Sequence, residues 1–257
     1  MLWSRQCPGK LNLGLFITGK RDDGYHLLET VFYPAPIADT LTLEEVPGAA
    51  AELTLTGLAL PADGRPNLCQ RAWQAVRDLR PTLPGVHIRL EKRIPPGTGL
   101  GGGSSDAAQT LLGLDALFDL HLTPAELHSL AVGLGADVPY FLEGGACFAT
   151  GIGEWLLPID LDLTGYRIEL VLPGVHSDTR TAYADLLPSD FTPAPGLHQA
   201  IWQPVTAWRG LLTNAFERGV FARYPALAAA KEALYARGAL YASLSGSGSA
   251  LYGIFEA

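Results

Sequence analysis

The chain has 257 residues, enough for one large domain or two small ones with ample core. With 18 basic and 26 acidic residues it carries a net charge of −8, and no Lys/Arg run builds the basic face that a general nucleic-acid binder needs. No apolar run is long enough to span a membrane, and the opening MLWSRQCPGK has no signal-peptide pattern. Cys7, Cys69 and Cys147 are odd in number and far apart, without zinc spacing, so the expectation is reduced, buried thiols in a cytoplasmic protein.

Along the chain, Pro8 to Leu15 alternates at period 2, which predicts a strand with Leu11, Leu13 and Leu15 on one face. Lys10, Asn12 and Gly14 share the other face, either as a solvent-facing strand edge or as groups meeting an anionic ligand and its hydroxyls. Asp23-Gly24 predicts a tight turn. Tyr25 and His26 follow it, either as an ordinary hairpin end or as rings that stack on and read a nucleobase. Strands are predicted over 39–46 and 52–58, then a helix capped by Asn67, then a strand over 86–94.

Next comes PPGTGLGGGSS, residues 95–105, where five of the seven residues from Gly97 to Gly103 are glycine. A helical pattern follows, through Ala107, Ala108, Leu111, Leu114 and Leu117. Strand, glycine loop and helix start in that order form an anion site, because glycine lets backbone N–H groups crowd around one point and the helix start adds partial positive charge. The reading favours phosphate over a merely structural loop. Ser104 or Ser105 is expected to cap the helix, with Asp106 in its first turn. No Gly-Lys-Ser/Thr follows the glycines, so this is not a Walker A loop, and a dinucleotide fingerprint fits poorly.

Thr123-Pro124-Ala125-Glu126 is a strong helix start. That helix ends near Gly135, before Asp137, which is either a turn-capping residue or a carboxylate held near the phosphate loop. A domain boundary is expected near Gly153, giving domains 1–153 and 154–257. The remaining expectations are a strand over 167–172, a short helix from Thr179 to Leu187 carrying Tyr183, and a Pro-rich loop over 188–196. Helices over 206–218 and 226–236 follow, with a closing strand over 251–255. Before that strand, Ser243 to Ala250 is a second Gly/Ser stretch, either a strand-connecting turn or a second backbone clamp on the first loop.

Taken together, these segments resemble a known family. PPGTGLGGGSSDAA resembles the central phosphate-loop motif of the GHMP kinases. GKLNLGLFITGKRDDGYHLLETVF and GADVPYF are similar to one branch of that family, and SLSGSGSALYGIF to its third motif. The resemblance implies an α/β (α+β) two-domain GHMP kinase fold. Its N-terminal domain would be like domain 2 of ribosomal protein S5, its C-terminal domain ferredoxin-like, with the active site in the cleft between them. It implies ATP and Mg²⁺ as cosubstrates, with no metal ligand assigned. It also implies a small-molecule acceptor, a cytidine diphosphate-linked methylerythritol of the non-mevalonate isoprenoid pathway, phosphorylated on its 2-hydroxyl.

By motif match, Lys10 and Asp137 are the catalytic pair. Pro95, Pro96, Gly97, Thr98, Gly99, Leu100, Gly101, Gly102, Gly103, Ser104 and Ser105 bind ATP. Asn12, Tyr25, His26, Thr179 and Tyr183 match the substrate side. Asp106 stands where some relatives have Asn. The family usually continues past the third motif with a helix and a last strand, whereas this sequence stops at Ala257, so the C-terminal domain is either cut or built shorter. The alternatives are another small-alcohol kinase of homoserine or mevalonate type, or a non-catalytic nucleotide-binding protein on the same fold.

Overall fold

The alternation that begins at Pro8 belongs to a longer strand, β1 (Leu2–Lys20). It is paired with β2 (His26–Val46), and the Asp-Gly turn between them closes with the Tyr25 carbonyl accepting from Arg21 N at 2.7 Å. The structure, a computed structural model, describes residues 1–61, 64–175, 177–191 and 196–257. Contacts divide the chain into two compact units, each assembled from several segments. No helix among the described residues is long and apolar enough to cross a membrane.

The first unit comprises Met1–Gly9, Ile37–Pro96 and Gly101–Gly144. Here the second half of β2 pairs antiparallel with β4 (Gly85–Lys92), and β3 (Ala51–Gly57) joins β4 in parallel. Leu41 sits opposite Leu90 and Leu43 opposite Ile88, so four buried aliphatic side chains share one face. Helix α1 (Leu68–Leu79) buries Cys69, Ala72, Trp73 and Val76, the one-sided stripe its spacing dictates, and packs on α2 (Gly102–Phe118). Asn67 starts α1 with a reciprocal box: its Oδ1 accepts from Cys69 N at 2.9 Å, and its own N–H donates to Gln70 Oε1 at 3.3 Å. Thr123 does the same for α3 (Pro124–Leu134), with Glu126 as its partner. Helix α4 (Tyr140–Glu143) follows, its Phe141 carbonyl accepting from Gln109 of α2 at 3.0 Å.

Helix α2 differs from expectation at its start. Neither Ser104 nor Ser105 caps it; the cap is Gly101, in the left-handed region at φ 68°, and no side chain supplies a capping bond. The helix therefore begins at Gly102, and Asp106 lies beyond the first turn, which holds no acidic residue. A left-handed cap needs a residue without a Cβ more than it needs a hydroxyl.

The second unit comprises Lys10–Pro36, Gly97–Leu100 and Gly145–Ala257. In it the first half of β2 pairs with β5 (Cys147–Thr150), which pairs with β6 (Trp155–Pro158), both antiparallel. A separate antiparallel sheet has the order β7–β9–β8, formed by β7 (Tyr166–Val171), β8 (Tyr241–Leu244) and β9 (Leu251–Glu256). Among the described residues five helices accompany them: α5 (Thr179–Ala184), α6 (Gly196–Ala200), α7 (Trp208–Leu211), α8 (Glu217–Arg223) and α9 (Pro225–Ala236). One core cluster unites Leu15 and Ile17 of β1 with Phe216, Val220, Leu227, Leu234, Leu244, Leu251 and Phe255.

The helix expected over 206–218 is broken. A 3₁₀ turn and α7 end before Leu212, and α8 starts only at Glu217. Between them the backbone runs beside β1, with Leu15 N donating to Thr213 O at 2.8 Å and Ala215 N to Leu15 O at 2.9 Å. These tertiary bonds outweigh the helical pattern. The expected Pro-rich loop begins with a 3₁₀ turn at Pro188–Asp190, and its residues 192–195 lie outside the described residues.

Candidate active site

Lys10 and Asn12 are not a solvent-facing strand edge. Both are buried, at 5% and 2% exposure, although Leu11 and Leu13 on the opposite face are fully buried as well. Lys10 Nζ donates to Asn12 Oδ1 at 2.5 Å, Asn12 Nδ2 donates to Thr30 Oγ1 at 2.9 Å, and Thr30 donates to the Gly14 carbonyl at 2.6 Å. The Asn12 carbonyl accepts from Tyr252 Oη at 2.7 Å. This relay fixes which way the Asn12 amide points, and so fixes its oxygen on the Lys10 ammonium. The ammonium also stands 5.2 Å from the Phe32 ring centroid.

The central part of the glycine loop is built onto the same piece. Lys10 N donates to Leu100 O at 2.8 Å, and Ala250 N donates to Thr98 O at 3.0 Å. Ser245 Oγ donates to Gly99 O at 3.1 Å and lies 3.4 Å from the Lys10 carbonyl. Gly99 has φ +77°, and a Cβ there would overlap the Ser245 carbonyl. Both readings left open for the second Gly/Ser stretch are realised: it turns β8 into the antiparallel β9, and it clamps the first loop. Sequence reasoning missed what holds that clamp: buried Asn214, whose Nδ2 donates to Leu244 O and Gly246 O, each at 2.9 Å. No signal in the sequence marks it, because it falls inside the helical pattern read over 206–218 and the break appears only in the structure.

Also within this unit, His26 and Tyr183 come together, stacked at 5.2 Å between centroids with planes 24° apart. Phe191 meets His26 edge-on at 6.0 Å, and Phe216 meets Tyr183 edge-on at 4.8 Å. Burial, with a smaller contribution from Lys20, holds the His26 imidazole below its usual pKa. Tyr25 is 59% exposed. Thr179 is exposed at the start of α5, and its hydroxyl shares a hydrogen bond of 2.8 Å with Ser247 in the Gly/Ser clamp.

In the other unit lie both ends of the glycine loop: Pro95 and Pro96, and Gly101 to Ser105 opening α2. The N–H groups of Gly102, Gly103 and Ser104 precede the first intrahelical bond, which Ser105 N makes to Gly101 O at 2.9 Å. Beneath them is a buried charge cluster. Lys92 Nζ donates to Asp106 Oδ2 at 2.6 Å and to Asp39 Oδ2. One ammonium serves two carboxylates here. Burial pushes Asp106 up, Lys92 opposes it and Asp39 adds to it, leaving the group at about 7. Burial pulls Lys92 down, but Asp106 and Asp39 outweigh it and leave it above its ordinary value. Asp137 is half-buried in the turn between α3 and α4.

Among the described residues, no group of three or more His, Cys, Asp or Glu side chains is placed to hold a metal ion. The chemistry of the loop end fits Mg²⁺ nonetheless. Ser105 Oγ is buried without a partner. A hydroxyl is a hard neutral oxygen, and Mg²⁺ in kinases is bound by one or two protein oxygens besides phosphate and water.

A strand, a glycine loop opening a helix, and a buried Lys tied to that loop define a nucleotide phosphotransferase. The family signature of the GHMP kinases N terminal domain matches residues 67–145, and that of the GHMP kinases C terminal matches 205–257. The chain belongs to the GHMP kinase family. It is 48% identical over 252 residues to the 4-diphosphocytidyl-2-C-methyl-D-erythritol kinase of Chlorobium phaeobacteroides (strain BS1), covering 96% of this chain and 87% of the relative. It is 43% identical over 249 residues to the kinase of the same name from Bacteroides fragilis (strain YCH46), covering 96% and 90%. A crystal structure of 4-(cytidine 5'-diphospho)-2C-methyl-D-erythritol kinase superposes with TM-score 0.84 at 38% identity, covering 98% of this chain and 90% of that one. The homoserine kinase of Cytophaga hutchinsonii shares the fold alone, with TM-score 0.69 at 18% identity, covering 99% and 85%.

Proposed function

We infer that this protein transfers the γ-phosphoryl group of ATP to the 2-hydroxyl of 4-diphosphocytidyl-2-C-methyl-D-erythritol. The observation that carries the reading is the bond from Lys10 N to Leu100 O, which ties the strand bearing the cation to the middle of the glycine loop. Phosphoryl transfer needs in-line placement and neutralised charge more than covalent help from the protein. The Gly102, Gly103 and Ser104 amides that open α2 offer backbone N–H groups to the nucleotide phosphates, with the rest of residues 95–105 shaping the loop around them. Lys10, oriented by Asn12, supplies positive charge against the transferring group. Asp137 orients the acceptor hydroxyl and takes its proton. Mg²⁺ neutralises phosphate charge when bound, and Ser105 would hold it. The Tyr25, His26 and Tyr183 rings receive the cytosine, with Thr179 at their edge.

Incubation with ATP, Mg²⁺ and the cytidine substrate, beside homoserine and mevalonate, tests the reading. ADP and a newly phosphorylated product should form with the cytidine compound alone. ADP release with homoserine or mevalonate instead, or with no acceptor, would overturn it.

A further inference from the structure

The Asp39–Lys92–Asp106 cluster has no place in the chemistry above, yet it is among the most deeply buried charge in the chain: Asp39 is 0% exposed, Lys92 3% and Asp106 3%. Its side-chain hydrogen bonds reach both ends of the glycine loop. Asp39 Oδ1 accepts from the backbone N–H groups of Arg93 at 2.5 Å and Ile94 at 2.9 Å, the residues that lead from β4 into the loop. Its other oxygen lies against the loop's far end, since a Cβ added to Gly102 would stand 3.3 Å from Asp39 Oδ2 and 2.8 Å from Ile94 Cγ2. Lys92 then ties Asp39 to Asp106, one turn into α2. Three elements, β2, β4 and α2, are thereby pinned at one point beneath the first amides of the helix.

We propose that Asp39, Lys92 and Asp106 are positioning residues for the nucleotide, a brace that sets the Gly102–Ser104 amides and the Ser105 hydroxyl at the separation from the loop start that ATP phosphates require. The proposal rests on the kinase reading and deepens it on the ATP side. Buried ion clusters are weak sources of stability, because desolvation offsets their attraction. Their use is in fixing geometry, and here the geometry fixed is that of a ligand site. The brace predicts that its loss separates nucleotide affinity from turnover, which a role in folding alone would not do.

The test is Asp106→Ala in the full chain. It leaves Lys92 paired one-to-one with Asp39, so no unmatched charge is buried. MgATP affinity by calorimetry should fall roughly tenfold, the equivalent of one hydrogen bond to a charged group. KM for ATP should rise in parallel, while kcat and KM for the acceptor stay within about twofold, the scatter of near-neutral changes. Asp106→Asn, which keeps an acceptor for Lys92, should restore wild-type affinity. If Asp106→Ala fails to fold, Asp39→Asn/Lys92→Met/Asp106→Ala serves in its place, since it leaves no buried charge and the amide oxygen at position 39 still accepts from the Arg93 and Ile94 N–H groups. Unchanged MgATP affinity in whichever variant folds, failure of both to fold, or a joint shift of kcat and both KM values would overturn the brace. Calorimetry needs no turnover, so an inactive wild type that still bound MgATP would count against the kinase reading and leave the brace standing.

Discussion

Gly99 lies directly against the carbonyl of Ser245, 146 residues away in the chain, and a side chain at position 99 has nowhere to go. The positive φ of Gly99 adds to the conflict, since an L side chain is strained there whatever the space. Gly99→Ala should therefore cost about 2–4 kcal/mol, from backbone strain and overpacking against a backbone atom that cannot rotate away. The urea midpoint reads this directly. Because the same contact joins the loop to the clamp, KM for ATP should rise as well. An alanine variant as stable as the wild type would mean that the two loops do not depend on each other.

Asp137→Asn tests the proton acceptor. The amide keeps the size and much of the hydrogen bonding of the carboxylate but cannot take a proton. Turnover should fall by at least about 10²-fold, with MgATP affinity near wild type. Wild-type kcat in this variant would remove Asp137 from the chemistry.

The stacked His26–Tyr183 pair makes a statement about pH. Folding lowers the His26 pKa below the ordinary value of 6.5, chiefly by burial. The unfolded chain then binds the proton more readily than the folded one. The contribution of His26 to stability is therefore complete above 6.5 and is lost as pH falls through its lowered folded value. A Tm series across that window should show a steeper acid-side decline for the wild type than for His26→Asn. Parallel declines would mean that the imidazole is not held neutral by the fold.

Two thiols should be inert. Burial, helped by the nearby Asp106 carboxylate, pushes Cys69 up to about 12 and Cys7 higher still. Iodoacetamide at mildly alkaline pH should leave both untouched in the native protein and label both in denaturant, read by mass spectrometry. Rapid native labelling of either would contradict the burial.

What the sequence made legible was what is local. Asn67 and Thr123 announce their helices because cap, first turn and acceptor lie within four residues of each other. The glycine loop is legible for the same reason, since strand, loop and helix are contiguous. The Ser104 or Ser105 cap was misread because a hydroxyl in the right place looks like a cap, and only backbone geometry shows that Gly101 takes that role. Lys10 and Asn12 looked half-exposed because period-2 alternation marks one buried face. The second face is buried by Thr30, Phe32 and the two loops, partners that lie far along the chain. Strands β5, β6 and β8 were too short to carry a period, at four residues each.

Asn214 is the sharpest case of a residue legible only in three dimensions, and it makes a prediction whose sign is unusual. Its Nδ2 donates to two carbonyls, Leu244 O and Gly246 O, while its Oδ1 accepts from Phe216 N at 2.9 Å. Asn214→Ala removes both donors and the acceptor and leaves Gly246 O and Phe216 N short of a partner, while Leu244 O keeps Ser243 Oγ at 3.3 Å, at about 1–3 kcal/mol for each group left unsatisfied. Asn214→Asp is the smaller change in shape, yet it should be worse. It would place carboxylate oxygen against two carbonyl oxygens at donor distance, in a site that is 3% exposed. The aspartate variant should therefore unfold at lower urea than the alanine variant, and the gap should narrow in acid, where the carboxyl gains a proton and can donate once more. If the order is reversed at neutral pH, the side-chain nitrogen of Asn214 does not face the clamp.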